Sequence, residues 1–280
     1  MAERTLEIAG DGEPVLFVPG FPFGVQVFRR LLPAAAGRFR TLVPTVMEPI
    51  GSVERARQVR ALLEEEGVER CAVVAHGTGG RVAQALAFGG SGLVDAMVLL
   101  AAPTPTSAIA FPETPDEALE RAHVEPLGRA DADAYLERWR RDPAAYAAGR
   151  AVFEAGDEVV GLEDAMATWE PPVLILHGEE DRIVEAGFAE RLSAAIPAST
   201  LGFVAESGHL LLDDAAGSIE SMILEWLRAR YLRAPHDHGG ITVLQLERRP
   251  AGVDRGPVVA DDDGEPGVPD PDQQEVGPNP

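Results

Sequence analysis

The chain has 280 residues, is 45% hydrophobic and carries a formal charge of −22 at pH 7. All 24 basic residues are arginine, which excludes a Schiff-base lysine for pyridoxal phosphate and a P-loop lysine. Strong net negativity repels nucleic acid and anionic membranes, whose phosphates need clustered cations, so a small uncharged or weakly charged ligand is the expected partner.

This length buries a full core as one large domain or as a domain with an insertion. No apolar stretch approaches a bilayer span, and the opening MAERTLEIAG lacks the basic start and apolar centre of a secretory signal. The expected location is cytoplasmic. Cys71 is the single cysteine; it opens an apolar run and reads as a small core residue.

Taken in order, short apolar runs at Pro14 to Pro19, Arg40 to Pro44, Cys71 to Ala75, Ala96 to Ala102, Pro172 to Leu176 and Ser199 to Val204 read as strands. Most are followed by helical periodicity or a Gly/Pro turn. Such alternation predicts a mostly parallel sheet with helices on both faces. Between Pro103 and Pro171 strand signals vanish and amphipathic stretches appear, among them Asp131 to Arg141 and Asp142 to Phe153. They read as an inserted helical lid over residues 106–170, within a core of residues 1–105 and 171–233. A last helix, Ser218 to about Tyr231, sets Ile219, Met222, Ile223, Trp226 and Leu227 on one stripe.

From Ala234 the composition turns to Pro, Gly and Asp, so residues 234–280 read as a disordered acidic tail. One island, Ile241 to Leu246, is strand-like, able to extend a sheet edge or to contact a protein partner, with an unstructured apolar patch in the tail as an equal alternative. His236 and His238 form an H-x-H pair with no further ligand cluster nearby, so no metal site is assigned.

The segment Val73-Val74-Ala75-His76-Gly77-Thr78-Gly79-Gly80 reads as strand, tight turn and helix, with Gly77 at the tip. Together with the VPGFPFG turn, the LHGEED turn and ESGHLLLDD, it resembles the α/β-hydrolase superfamily over residues 10 to 232. The resemblance implies the α/β-hydrolase fold and a site whose nucleophile position, Gly77, is vacant. On the same grounds Asp181 matches the triad acid and His209 the triad base. The backbone N–H groups of Phe21 and Thr78 match the oxyanion hole. The Thr78 side chain is expected to point away from the base. Pro19 stands where histidine is frequent behind the oxyanion loop. His76, His123 and His177 receive no chemistry.

Three functions stay open. A His209–Asp181 general base acting directly on a small carbonyl compound, or on water, needs no nucleophile and is the leading expectation; it would be a non-covalent hydrolase or lyase. A catalytically silent relative that binds a small ligand or a protein is the alternative, and an esterase using Thr78 is the third. Phe111, Tyr135, Trp139, Tyr146, Phe153 and Trp169 supply aromatic surface in the insert, with Arg138, Arg140 and Arg141 available to a carboxylate. No metal, nucleotide or flavin cofactor is expected.

Overall fold

The computed structural model describes residues 5–45, 50–155, 162–231 and 243–246. In chain order the first half runs through β1 (Thr5–Ala9), β2 (Pro14–Val18), a 3-10 turn (Gly24–Phe28), α1 (Leu31–Ala36), β3 (Arg40–Thr45), α2 (Ser52–Glu65), β4 (Cys71–His76), α3 (Gly79–Phe88) and β5 (Val94–Leu100). Four helices follow: α4 (Pro115–Ala122), α5 (Arg129–Arg141), α6 (Pro143–Ala155) and α7 (Leu162–Ala167). The chain then continues through β6 (Val173–Gly178), α8 (Ala186–Ala195), β7 (Ser199–Val204), α9 (Leu211–Asp214), α10 (Ser218–Arg230) and β8 (Val243–Leu246).

The strands form one eight-stranded sheet ordered β1-β3-β2-β4-β5-β6-β7-β8. Only β1 runs antiparallel, with Thr5 opposite Thr45; the other neighbours pair in parallel. The inner strands are apolar along their length because both faces are covered. Val15, Phe17, Val74 and Val98 face a core shared with α1 and α10, whereas Leu16, Val73, Met97 and Ile175 face one shared with α2, α3 and α8. This is the expected α/β-hydrolase architecture.

Between β5 and β6 the helical insertion is present, with the two expected stretches appearing as α5 and α6. Its α4 begins where the Thr114 hydroxyl accepts the Glu117 amide at 3.2 Å, with Pro115 in the first turn. Leu119, Tyr135, Leu136, Tyr146 and Phe153 of the insertion join the core of α1 and α10, while Leu162 and Met166 of α7 join the opposite one.

Three features depart from expectation. Strand β1 was not foreseen, because its side chains are mostly exposed and offer no apolar run. Strand β5 ends at Leu100 rather than 102, since Ala101 turns to a positive φ of 48°. A tail boundary at 234 leaves out β8, which pairs with β7 from Leu201 opposite Val243 to Val204 opposite Leu246. Of the alternatives for this island, its described residues Val243 to Leu246 take the sheet edge. His236, His238, Ile241 and residues 250–280, with the expected disorder of the tail, lie outside the described residues.

Among the described residues no group of three His, Cys, Asp or Glu side chains could hold a metal ion, and no helix is long and apolar enough to cross a membrane. Burial pushes the Cys71 thiol up to about 12, helped by Asp95, as suits an unreactive core residue.

Candidate active site

Strand β4 delivers the chain to Gly77, where φ is +53°, and α3 starts two residues later. A left-handed backbone costs an L side chain roughly 1–3 kcal/mol, so glycine relieves this turn of strain. The position is also sterically occupied. A Cβ on Gly77 would stand 2.9 Å from His209 Nε2 and 3.4 Å from its Cε1.

The loops after β6 and β7 bring Asp181 and His209 together: His209 Nδ1–H donates to Asp181 Oδ2 at 2.8 Å. Asp181 Oδ1 accepts the amides of Ile183 at 2.8 Å and Val184 at 2.9 Å, so the same carboxylate closes its own turn. Burial alone would raise Asp181; the nearby His209, its hydrogen bond and the Val184 amide outweigh that and hold the carboxyl below its usual value. With Nδ1 committed, His209 Nε2 is left as a buried lone pair with no hydrogen-bond partner.

Two further histidines back this pair. His76 Nε2 donates to the His209 carbonyl at 2.9 Å, and its ring lies edge-on to the His209 ring at 4.7 Å. His177 Nε2 donates to the Val184 carbonyl at 2.9 Å. Burial, then the neighbouring His209, lowers His76 to about 3, and burial likewise lowers His177. Both are neutral supports.

The oxyanion position differs from its expected form. The Phe21 amide donates to Thr78 Oγ1 at 2.8 Å, so one of the two donors assigned to a substrate oxygen already serves a side chain. No base stands against that hydroxyl, because His209 Nε2 has no partner. Above the loop, the Phe21 ring is the hub of a cluster with Phe111, Trp139, Tyr146 and Phe153 at centroid distances of 5.2 to 5.4 Å. Gly149 makes room for it: a Cβ there would fall 2.5 Å from Phe21 Cε2. Phe23 covers His209 at 5.6 Å.

A second buried polar cluster lies beside this site and was not legible in the sequence. Asp213 forms an ion pair with Arg29 Nη1 at 2.6 Å and accepts the Tyr135 hydroxyl at 2.7 Å. Asp214 binds His123 Nδ1 at 3.0 Å and accepts the Gly208 amide at 2.8 Å, one residue before His209. The insertion is thereby tied to the loop that carries the imidazole. The Asp-Asp pair in ESGHLLLDD was the one local signal. Of the arginines offered for a carboxylate, Arg140 is paired with Asp133 and Asp116, and Arg141 with Glu137.

The model of the alpha/beta hydrolase family matches residues 15–219. The chain is 25% identical over 249 residues to the magnesium-chelatase 30 kDa subunit of Rhodobacter capsulatus, covering 78% of this chain and 87% of that protein. It is 24% identical over 253 residues to the AB hydrolase superfamily protein YisY of Bacillus subtilis, covering 79% and 94%. Among solved structures, a meta-cleavage product hydrolase from Pseudomonas fluorescens IP01 superposes with a TM-score of 0.64 at 18% identity, covering 81% of this chain and 94% of the other.

Proposed function

The chain belongs to the alpha/beta hydrolase family, and from that premise we propose that it is a catalytically silent member, retained as a binding protein for a small ligand beneath a helical lid formed by the insertion. The observation that carries this reading is the tip of the elbow. Gly77 has no nucleophile, and His209 Nε2 sits only 2.9 Å from where a Cβ would be. Loss of the serine alone costs a serine hydrolase on the order of a millionfold in turnover. The Phe21 amide bonded to Thr78 Oγ1 removes a second element of acyl transfer.

The retained His209–Asp181 pair does not oppose this reading, because it has structural work. Asp181 holds the Ile183 and Val184 amides and also accepts the His209 Nδ1–H, so its carboxylate ties the loops after β6 and β7 together. The pair is part of the scaffold of two loops, which explains its presence without a reaction. An esterase using Thr78 draws no support from a hydroxyl that faces an amide rather than a base.

One observation favours a second reading. His209 Nε2 is a buried, unpartnered lone pair on an imidazole oriented by a carboxylate, the arrangement of a general base acting directly on a carbonyl substrate or water. The two readings separate in one assay. Wild type and His209→Ala are tested on small esters, lactones and 1,3-dicarbonyl compounds; the silent reading expects both to remain at background. Turnover of any of these compounds by wild type that disappears in His209→Ala would establish the general base instead.

A further inference from the structure

A cavity of about 240 Å³ is bounded by the Pro19–Gln26 loop, the end of β3 and helices α5 and α6; neither Gly77 nor His209 lines it. Its loop wall is pinned from the elbow and from α5. Gly20 packs so closely on the elbow that a Cβ there would fall 2.4 Å from the His76 carbonyl oxygen, the Phe21 amide is bonded to Thr78 Oγ1, and the Pro22 carbonyl accepts the Trp139 indole N–H. The cavity is therefore preformed, not a gap that a loose loop would close.

Its buried walls present carbon. Phe21, Trp139 and Phe153 contribute ring surface and Val43 aliphatic surface. Among the described lining residues, Tyr135 and Trp139 are the buried side chains that carry a polar atom, and both atoms are committed: the Tyr135 hydroxyl donates to Asp213 and accepts from Arg29 at 2.9 Å, and the Trp139 N–H is held by Pro22. Arg55 and Arg138 also border the cavity, and each has interactions of its own, Arg138 lying 4.5 Å from the Trp139 ring centroid. A ligand carboxylate would have to draw them away from these partners. An ammonium would meet them as like charges, for Arg55 is already pushed down to about 10, first by burial and then by Arg138. A neutral ring asks for no hydrogen bond, and it gains from burial and from edge and face contacts with the aromatic walls. Size narrows the class further. An apolar cavity of about 150 Å³ holds benzene, so about 240 Å³ has room for a second fused ring.

We propose that this cavity binds a small neutral aromatic molecule of two fused rings, packed among Phe21, Trp139 and Phe153. The proposal rests on the reading that the fold serves binding rather than turnover, and it names the ligand class.

The test is calorimetric titration of the full chain with naphthalene and 2-methylnaphthalene, beside 2-naphthoate and 2-naphthylmethylamine, which carry the same rings with a charge of either sign. The expected result is at least tenfold tighter binding of the neutral pair than of either charged analogue. Ala145 of α6 and Ala134 of α5 line the cavity, so Ala145→Phe or Ala134→Phe puts a ring into the space itself and should weaken naphthalene binding at least tenfold. Ala134 is exposed, so its variant keeps the test open should Ala145→Phe fail to fold. No binding of naphthalene, a charged analogue bound as tightly, or naphthalene binding unchanged in every folded variant would each overturn the proposal. Hydrolysis of p-nitrophenyl acetate is assayed in parallel. His209-dependent release of nitrophenol would overturn the silent reading while leaving the preference for the neutral rings in place, so the two failures are distinguishable.

Discussion

At the elbow, two side chains have taken the places of the missing chemistry: the His209 ring lies against the space a Cβ would need, and the Thr78 hydroxyl accepts the Phe21 amide. Restoring serine alone is therefore expected to fail. Gly77→Ser should leave p-nitrophenyl acetate hydrolysis at background and lower stability by roughly 1–3 kcal/mol, from strain at positive φ and displacement of the imidazole. Adding Thr78→Ala frees the amide, and the double variant should hydrolyse the ester at least tenfold faster than Gly77→Ser; equal rates would contradict the role given to Thr78. A pH dependence follows from the supporting histidines. Because His76 and His177 are held below the ordinary imidazole value, about 6.5, chiefly by burial, the unfolded chain binds more protons than the folded one in mild acid. Their contribution is fully present above that value and is lost as pH falls toward the folded values, with a slope of about 1.4 kcal/mol per pH unit for each group. Thermal unfolding at pH 7.5 and pH 5 measures this, and a flat melting temperature would contradict it. Asp181, lowered rather than raised, loses its share only at still lower pH, beneath the ordinary carboxylate value. Gly77, Asp181 and His209 were legible because each sits in a short motif, and so was a Thr78 side chain turned away from the base; the partner of its hydroxyl was not, since that amide lies 57 residues away.

At the level of elements, the insertion is fastened through buried charge. Asp213 of α9 meets Arg29 beside the 3-10 turn and Tyr135 of α5, with its side chain 3% exposed. Removing one partner from such a cluster strands the others, so Asp213→Asn should cost about 3–5 kcal/mol in urea unfolding. Arg70→Gln is the contrast: it breaks a pair with Asp95 in which the arginine side chain is 70% exposed, and should change stability by less than about 1 kcal/mol. Similar losses for the two variants would refute the distinction. Beyond the adjacent Asp213 and Asp214, no sequence pattern announced this lock, because residues 29, 123 and 135 share no spacing with them and meet them only once the sheet has formed. The strands show the converse. Doubly covered β2, β4, β5 and β6 were readable as unbroken apolar runs, whereas β1 is a half-exposed edge whose hydrogen bonds, rather than its side chains, define it.

Across the molecule, the sheet has two outer strands of different origin. The chain passes beyond the last core helix and returns as β8, covering the edge of β7 that would otherwise present unpaired backbone groups. A variant ending at Tyr231 should melt at lower temperature and associate with copies of itself, readable by light scattering; a monomer as stable as the full chain would show that β8 shields nothing. Core and insertion also meet where the Trp139 indole N–H donates to the Pro22 carbonyl at 2.6 Å. That bond turns the molecule into its own optical gauge. Any displacement of the insertion from the loop strips a hydrogen-bond acceptor from a buried indole, and the protein's ultraviolet emission should report it without an added dye.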